Sequence, residues 1–387
     1  MPKDELSGGR LVPRLQTGEP ITLVDQALVL PRAGKGGFAV VDGNGAPVVD
    51  AVSFRKDGLE FSDFIDRSTL RKVRHHAGRY LYAGDYWSHF GHFIFESLAR
   101  LWALDLVQDQ LDGIVFLVPR RGEMDAGLRA DSMQARFLAM LGIDLPVLLI
   151  SEPSSFDQLY VPRQGCGMGG MAAGTPSHRR FLQNRLRKVV PKSGVERVYL
   201  TRSGYGLRRG GIFGEGFLEQ NLIAQGYVIY SPEQAPIEDQ IATYLGARQI
   251  VAPDSSALHL FGFVARPEQD LAIVLRRKTG AKDLLPQITG FTGRKPLVLD
   301  CITRTLGRDN ARMASWGQFA DLDFDALGQG LAAAGFVDPV LWRGLSEWRR
   351  NRFQRNYEAR LDCTLQVLNP TAAFADDTPV HGTDEPT

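Results

Sequence analysis

Two histidines, a glutamate and an arginine recur at helical spacing in an otherwise apolar stretch. They are His89, His92, Glu96 and Arg100, on a helix predicted over residues 88–108 that begins SHFGHFIFESLARLW. At 100° per residue, the four side chains share an arc of roughly 80°. Imidazole suits general-base catalysis because its ordinary pKa lies near neutral pH. The spacing predicts an enclosed polar stripe in which His92 or His89 is the base and Glu96 either orients it or acts itself.

Two other interpretations of this stripe stay open. An exposed helix edge with an ordinary ion pair between Glu96 and Arg100 would give the same spacing. A metal site with two histidines and one carboxylate is sterically conceivable, but the spacing matches none of the zinc-binding helix motifs, so we predict no metal. The aromatic residues Tyr86 and Trp87 come just before the stripe. They favour an enclosed surface at this end of the helix, to which Arg100 would contribute.

A second candidate site is a basic, glycine-rich loop over residues 201–215 (TRSGYGLRRGGIFGE). It follows a predicted strand and precedes a predicted helix, which is where α/β proteins bind phosphate groups. Arg202, Arg208 and Arg209 suit this role because the planar guanidinium group binds phosphate oxygens in pairs. The glycines do not form GxGxxG, so no dinucleotide site is predicted. A flexible basic surface loop is the alternative.

A third candidate is the turn after the predicted strand QIVAP, where Asp254, Ser255 and Ser256 precede a helix. Free backbone N–H groups and hydroxyls at such a turn can bind an anion or a sugar hydroxyl. Ordinary capping of the helix by Asp254 or Ser255 explains the same residues equally well. His259, one turn further along, is by itself more often a packed core histidine than a catalytic one.

These residues need a scaffold, and the sequence predicts one of alternating strands and helices. A chain of 387 residues exceeds one ordinary core, which favours two domains. Strands separated by helices form parallel sheets with right-handed crossovers. We therefore predict an α/β fold with two Rossmann-like domains. The predicted division is a strand-rich segment over 1–70, a first domain over 71–190, a second over 191–300, a helical extension over 301–370 and a disordered tail over 371–387.

Composition excludes several classes of protein. The net charge of +1 argues against a nucleic-acid partner held by a broad basic surface. Three widely spaced cysteines indicate reduced thiols in a cytosolic protein. No signal peptide and no apolar run long enough to cross a bilayer is present, so we expect a cytoplasmic protein. Peripheral attachment to the inner face of a membrane stays open.

Three stretches together resemble glycosyltransferase family 61, particularly its bacterial capsular-polysaccharide-biosynthesis members. HFGHFIFESLARLWAL looks like the family's H-F-x-x-E-x-L-x-R-L-W helix. VYLTRSGYGLRRGGIFGE looks like its strand, basic loop and helix-starting glutamate, here Glu215. GYVIYSPEQAPIEDQIATYLGARQIVAPDSSALHLFGFV looks like its third conserved run. The resemblance covers about residues 80 to 275. It departs from many members at Gly214, at Asp254-Ser255 and at Leu260.

The resemblance implies a GT-B-like fold, with the two Rossmann-like domains facing an interdomain cleft. It also implies inverting, metal-independent transfer from a nucleotide sugar to a glycan or lipid-linked glycan, with no cofactor. The polar stripe would face the acceptor, with Tyr86, Trp87 and Arg100 as the acceptor-side residues. The donor and its phosphates would lie against Arg202, Arg208, Arg209, Glu215, Asp254, Ser255, Ser256 and His259. A non-catalytic, glycan-binding assembly protein on the same fold is the alternative, because of the departures at Asp254 and Leu260.

Overall fold

A computed structural model describes the chain over residues 10–11, 19–31, 39–55, 58–60, 70, 72–118, 130–189, 192–308 and 317–368. The predicted disordered tail, 371–387, lies outside the described residues. Two units can be distinguished by their internal packing. Unit 1 consists of Met1–Pro191, His259–Arg266 and Pro286–Arg294, and unit 2 of Lys192–Leu258, Pro267–Leu285 and Lys295–Thr387.

A seven-stranded mixed sheet lies at the centre of unit 1. Its strands are β1 (Arg10–Leu11), β2 (Ile21–Leu30), β3 (Ala39–Val41), β6 (Arg74–Asp85), β7 (Gly113–Leu117), β8 (Val147–Ile150) and β9 (Ser154–Pro162). The order is β1-β2-β9-β6-β7-β8, with β3 also paired to β2. Strands β9, β6, β7 and β8 are parallel, whereas β2 is antiparallel to β9. The predicted strand-rich segment thus contributes strands to the sheet of the following domain. A separate hairpin joins β4 (Ser53–Arg55) to β5 (Gly58–Glu60).

Four helices of unit 1 lie between these strands or directly after them in the chain. They are α1 (Phe90–His92), α2 (Leu104–Val107), α3 (Met133–Met140) and α4 (Pro176–Val189). Helix α4 begins at Pro176, a residue whose fixed φ suits the first helical turn. One buried hydrophobic core of unit 1 is formed by side chains of these strands and includes Val24, Tyr82, Val115, Phe156 and Leu159.

The prediction of a single long helix over residues 88–108 is wrong. Three residues of α1 lead into a π-helical turn over Phe93–Ser97, then a turn over 98–100, a 3-10 turn over Leu101–Ala103 and α2. The wider turn changes the direction of the residues that follow it. Arg100, which follows this turn, has a fully buried side chain, whereas His89, which precedes it, is exposed. The four polar residues therefore do not share one face.

A five-stranded, wholly parallel sheet lies at the centre of unit 2. Its strands are β10 (Arg197–Leu200), β12 (Val228–Tyr230), β13 (Gln249–Pro253), β14 (Asp270–Val274) and β15 (Leu297–Leu299). The order is β12-β10-β13-β14-β15. Along the chain, the helices between them are α5 (Glu215–Ala224), α6 (Ile237–Gly246), α7 (Ala257–Val264) and α8 (Leu284–Thr292). From His259 and from Pro286 onward, α7 and α8 belong to unit 1. The chain order reverses between β10 and β13, and ligands bind beyond the carboxyl ends of strands at such a point.

Unit 2 also contains a second sheet, which the sequence did not predict. Its strands are β11 (Gly211–Ile212), β16 (Ile302–Arg308), β17 (Phe319–Leu322) and β18 (Leu365–Val367), in the order β11-β17-β16-β18. The region predicted as a helical extension over 301–370 therefore holds three strands as well as α9 (Phe324–Ala333) and α10 (Glu347–Leu361). Tyr357 of α10 packs its ring on Phe213 and Phe319. The extension is thus joined to the end of the basic loop.

The predicted α/β class with parallel strands is confirmed. None of the helices in the described ranges is long and apolar enough to cross a membrane.

Candidate functional site

The carboxyl edge of the parallel sheet in unit 2 carries three arginines and a buried aspartate. Arg202 follows β10, Asp254 follows β13, and Arg276 and Arg277 follow β14. The Arg276 guanidinium interacts electrostatically with Asp254 and with both of the other arginines. The three arginines and Asp254 therefore lie together beside the reversal point of the sheet, and the Glu215 carboxylate also acts on Arg276. We call the three arginines and Asp254 the arginine cluster.

Asp254 orients two members of the arginine cluster. Its side chain is fully buried. Its Oδ1 accepts the backbone N–H of Arg276 at 2.6 Å, and its Oδ2 accepts Nε–H of Arg277 at 3.0 Å. The Nε–H of Arg276 donates to the backbone carbonyl of Asp254 at 2.9 Å. Gly280 allows the loop after β14 to close on this carboxylate, since a Cβ there would lie 2.1 Å from Oδ2.

The arginine cluster keeps unused hydrogen-bond donors. Nη1 of Arg276 and Nε of Arg202 are buried, and neither has a hydrogen-bond partner among the described residues. Burial lowers the pKa of Arg276 to about 9, with Asp254 opposing the shift, so the group stays charged at neutral pH. A buried donor without an acceptor costs free energy. A bound anion would supply acceptors and charge.

Glu215 supports the backbone of Arg202. Its carboxylate is buried and accepts the Arg202 backbone N–H at 2.8 Å and the Tyr199 hydroxyl at 2.9 Å. The Thr201 hydroxyl lies 3.2 Å from the same oxygen. Burial raises the pKa of Glu215, and the two hydrogen bonds from Arg202 and Tyr199 oppose the shift. The carboxylate therefore positions Arg202.

The remaining donor-side candidates occupy different environments. Arg208 and Arg209 are exposed in a turn over Leu207–Arg209, whereas Arg202 is half-buried with its guanidinium over the Tyr205 ring, 4.7 Å from the centroid. Ser255 is buried and Ser256 half-buried, directly before α7. Of the three loop arginines predicted from the sequence, Arg202 interacts electrostatically with Arg276.

The sequence did not single out Arg276 and Arg277. They follow the apolar strand β14, which ends at Val274. Two arginines directly after an apolar strand could have signalled the site, because all strands of a parallel sheet end at one edge.

Unit 1 holds the second candidate site, a paired imidazole and carboxylate. Nδ1 of His92 lies 2.5 Å from Oε1 of Glu96. The His92 ring lies 5.4 Å from the rings of Trp87 and His89, and its side chain is 27% exposed against 10% for Glu96. With Glu96 ionised, Nδ1 carries the proton and Nε2 can accept one from a substrate. The pair has the chemistry of a general base.

The comparison with known families bears on both sites. Residues 90–271 match the family model Glycosyltransferase 61. The matched span contains His92, Glu96, Arg202 and Asp254. It supports the resemblance to family 61 and a glycosyltransferase role in general, which implies a sugar donor and a glycan acceptor. No curated protein matches the chain.

Arg100 lies within the residues that match family 61, but its guanidinium is already bonded to the backbone. It is 1% exposed and donates to the backbone carbonyls of Asp50 (2.5 Å), Ala51 (3.0 Å), Val52 (2.7 Å) and Pro162. Burial lowers the pKa of Arg100, and nearby acidic groups and Tyr82 oppose the shift. This guanidinium holds residues 50–52 against the end of β9.

Two further candidates from the sequence also pack inside unit 1. Tyr86 is fully buried against the rings of Phe93 and Phe116. His259 stacks on Phe95 with ring centroids 4.5 Å apart, and its Nδ1 lies 2.5 Å from Oε1 of Gln287. Gln287 in turn donates to the His259 backbone carbonyl at 3.0 Å.

Metal binding was one interpretation of the histidine stripe. Over the residues that the structure describes, no three His, Cys, Asp or Glu side chains are grouped so that they could hold a metal ion.

Proposed function

We propose that this protein transfers a sugar from a nucleotide-sugar donor to a glycan acceptor in the synthesis of capsular or other cell-surface polysaccharide. The arginine cluster around Asp254 carries the proposal. When a nucleotide sugar reacts, a nucleoside diphosphate leaves, and its developing charge must be stabilised. Inversion at the sugar, independence of a metal ion and the GT-B arrangement with its cleft remain what the resemblance to family 61 implies.

In this proposal, the diphosphate binds to Arg202, Arg276 and Arg277. The unused N–H groups of Arg202 and Arg276 donate to its oxygens, and Asp254 keeps the side chain of Arg277 in place. Amides at the start of α7, near Ser255 and Ser256, add further donors. Arg208 and Arg209 add positive charge from the exposed turn. Arg100, Tyr86 and His259 are left out, because their side chains already pack or bond within unit 1.

We further propose the pair of His92 and Glu96 as the general base. The acceptor hydroxyl gives its proton to Nε2 of His92 while its oxygen bonds to the anomeric carbon of the sugar. The bond from that carbon to the diphosphate breaks, and the electron pair leaves with the diphosphate. Glu96 stabilises the imidazolium that forms. His89, exposed beside His92, is the second candidate for the base.

The acceptor would be a glycan or lipid-linked glycan, used on the cytoplasmic side at the inner face of a membrane. The support for this location is the composition of the chain and its resemblance to capsular-polysaccharide enzymes.

A panel of nucleotide sugars, read by thermal shift and then by calorimetry, tests the donor. A donor at 100 times its Kd stabilises the protein by about 2.7 kcal/mol, which is visible as a shift of a few degrees. We expect Arg277→Ala to weaken binding about 10- to 100-fold, since hydrogen bonds to charged groups contribute about 1.5–3 kcal/mol. Arg248→Ala, at the exposed amino end of β13, is the matched control. Equal affinity in both variants would contradict the phosphate role.

Turnover of the donor tests the base. We expect His92→Ala to lower kcat by about 10²- to 10⁴-fold, the usual contribution of general-base catalysis. Glu96→Gln should lower it less, because the imidazole remains. If His89→Ala, His92→Ala and Glu96→Gln all keep activity within a factor of two of the wild type, these residues have no part in the reaction. Donor binding with no turnover on any acceptor would favour the non-catalytic alternative.

A further inference from the structure

A fifth charged side chain lies along the same sheet edge in unit 2. Glu233 comes three residues after the end of β12. Because β12 is the neighbour of β10 on the side away from β13, Glu233 and Arg276 lie on opposite sides of Arg202 along the edge. Arg202 interacts electrostatically with both. A ligand whose diphosphate binds at the arginine cluster would direct its adjoining group towards either Glu233 or β15.

The Glu233 carboxylate is buried without a partner that would satisfy it. Neither oxygen has a hydrogen-bond partner in another residue of the described chain. Burial raises the pKa of Glu233, while its own backbone N–H and Arg202 oppose the shift. Buried carboxylates are normally paired, and an unsatisfied one requires an explanation. A ligand that donates hydrogen bonds would provide one.

A turn over Ser203–Tyr205 covers this carboxylate. A Cβ on Gly204 would lie 1.9 Å from Oε1 of Glu233, so a side chain at this position would require the carboxylate to move. The turn itself is exposed, and the ring of Tyr205 is 40% exposed under the guanidinium of Arg202. A cover of this kind, with no side chain at its centre, can be displaced by a ligand that binds beside Arg202.

We propose that Glu233 binds the ribose 2′ and 3′ hydroxyls of the donor, so that this site selects ribonucleoside diphosphates over their deoxy forms. The two carboxylate oxygens are acceptors only and match the two donors of a cis-diol. An acidic residue after the second strand takes the ribose in nucleotide-binding α/β folds, and β12 is the second strand here. Binding displaces the Ser203–Tyr205 turn. This inference rests on the proposed function, since it places the diphosphate at Arg202.

Calorimetry on the full chain tests the inference with defined probes. UDP, GDP, ADP and CDP are titrated first, and whichever binds is compared with its 2′-deoxy form and with pyrophosphate. We expect the wild type to bind the ribonucleotide about 10- to 100-fold more tightly than the deoxy form, because a hydrogen bond to a charged group is lost. Glu233→Gln should reduce that preference to within about threefold. Pyrophosphate has no ribose and should bind the variant at least as tightly as the wild type, because a negative charge beside Arg202 is removed. Glu196→Gln, exposed at the amino end of β10, is the matched control and should keep the preference.

Each outcome separates the two proposals. If no nucleoside diphosphate binds, the proposed function fails. If one binds but the wild type does not distinguish ribose from deoxyribose, Glu233 has no ribose role and the proposed function stands. That comparison needs no variant, so a folding defect in Glu233→Gln cannot obscure it. An equal preference in Glu233→Gln and wild type would likewise overturn the inference.

Discussion

Replacing Asp254 by asparagine removes the carboxylate between Arg276 and Arg277 but keeps its shape. The new amide oxygen can still accept the Arg276 backbone N–H, now bonded at 2.6 Å. The new amide nitrogen would face Nε–H of Arg277, which Oδ2 now accepts at 3.0 Å. One charge-assisted bond therefore becomes a contact between two donors, beside guanidinium groups that have lost their counter-charge.

The expected cost follows from burial. Removing one member of a buried ion pair destabilises a protein by about 3–5 kcal/mol. We expect the lower end, about 3 kcal/mol, because Asp254 is fully buried but the Arg277 side chain is 28% exposed and can turn towards water. For a folding unit of this size, each kcal/mol lowers Tm by about 2–4 °C. Asp254→Asn should therefore melt about 6–12 °C below the wild type.

Thermal unfolding with and without pyrophosphate measures this effect. Asp300→Asn is the control, because its pair with Lys278 at 2.8 Å is exposed on both sides and contributes at most about 1 kcal/mol. Added pyrophosphate should raise the Tm of Asp254→Asn more than that of the wild type, since the anion replaces the missing charge. If Asp254→Asn melts within 2 °C of Asp300→Asn, with equal responses to pyrophosphate, the carboxylate does not hold the arginines in place.

Two further variants test unit 1. Arg100→Lys should lower the free energy of unfolding, measured in urea, by about 3 kcal/mol, because an ammonium group cannot bond to four backbone carbonyls as the guanidinium does. A decrease below about 1 kcal/mol would contradict this. Burial lowers the pKa of the His178 imidazole to about 3. The folded protein therefore keeps this group neutral, whereas the unfolded chain binds a proton below about pH 6.5. The contribution of His178 to the free energy of unfolding is consequently present at neutral pH and is lost as the pH falls. Between pH 7 and 5, the free energy of unfolding of His178→Leu should therefore fall by about 2 kcal/mol less than that of the wild type. Parallel pH profiles of the unfolding free energy would contradict this role of His178.

The alternation of strands and helices was readable because each strand of unit 2 is a short apolar run between polar turns. The positions of Arg202 and Asp254 at strand ends followed directly, although their roles remain proposals. Arg276 and Arg277 were missed for a different reason. Their link to Arg202 depends on β13 and β14 following β10 in the sheet, and strand order is set by packing between distant segments.

The helix containing the histidines shows where local periodicity fails. Regular spacing predicts that Arg100 shares a face with Glu96. The carbonyls that bind its guanidinium lie 48 to 62 residues away in the chain. Helical periodicity takes no account of such distant partners. The π-helical turn at Phe93–Ser97 lies just before Arg100 and interrupts the regular spacing. The pairing of His92 with Glu96 survives because both lie within one turn.

The short strand β11 ties the donor-side loop to the last part of the chain. Gly211 and Ile212 pair in parallel with Phe319 and Ala320, and the Gly214 backbone N–H donates to the Tyr357 hydroxyl at 3.2 Å. A fragment ending at residue 300 would keep all five strands of the parallel sheet, but its loop would lose the pairing of Gly211 and Ile212 and the hydrogen bond of Gly214. Insertions or deletions within β17 or α10 should therefore alter nucleotide affinity from a distance, without touching a phosphate contact.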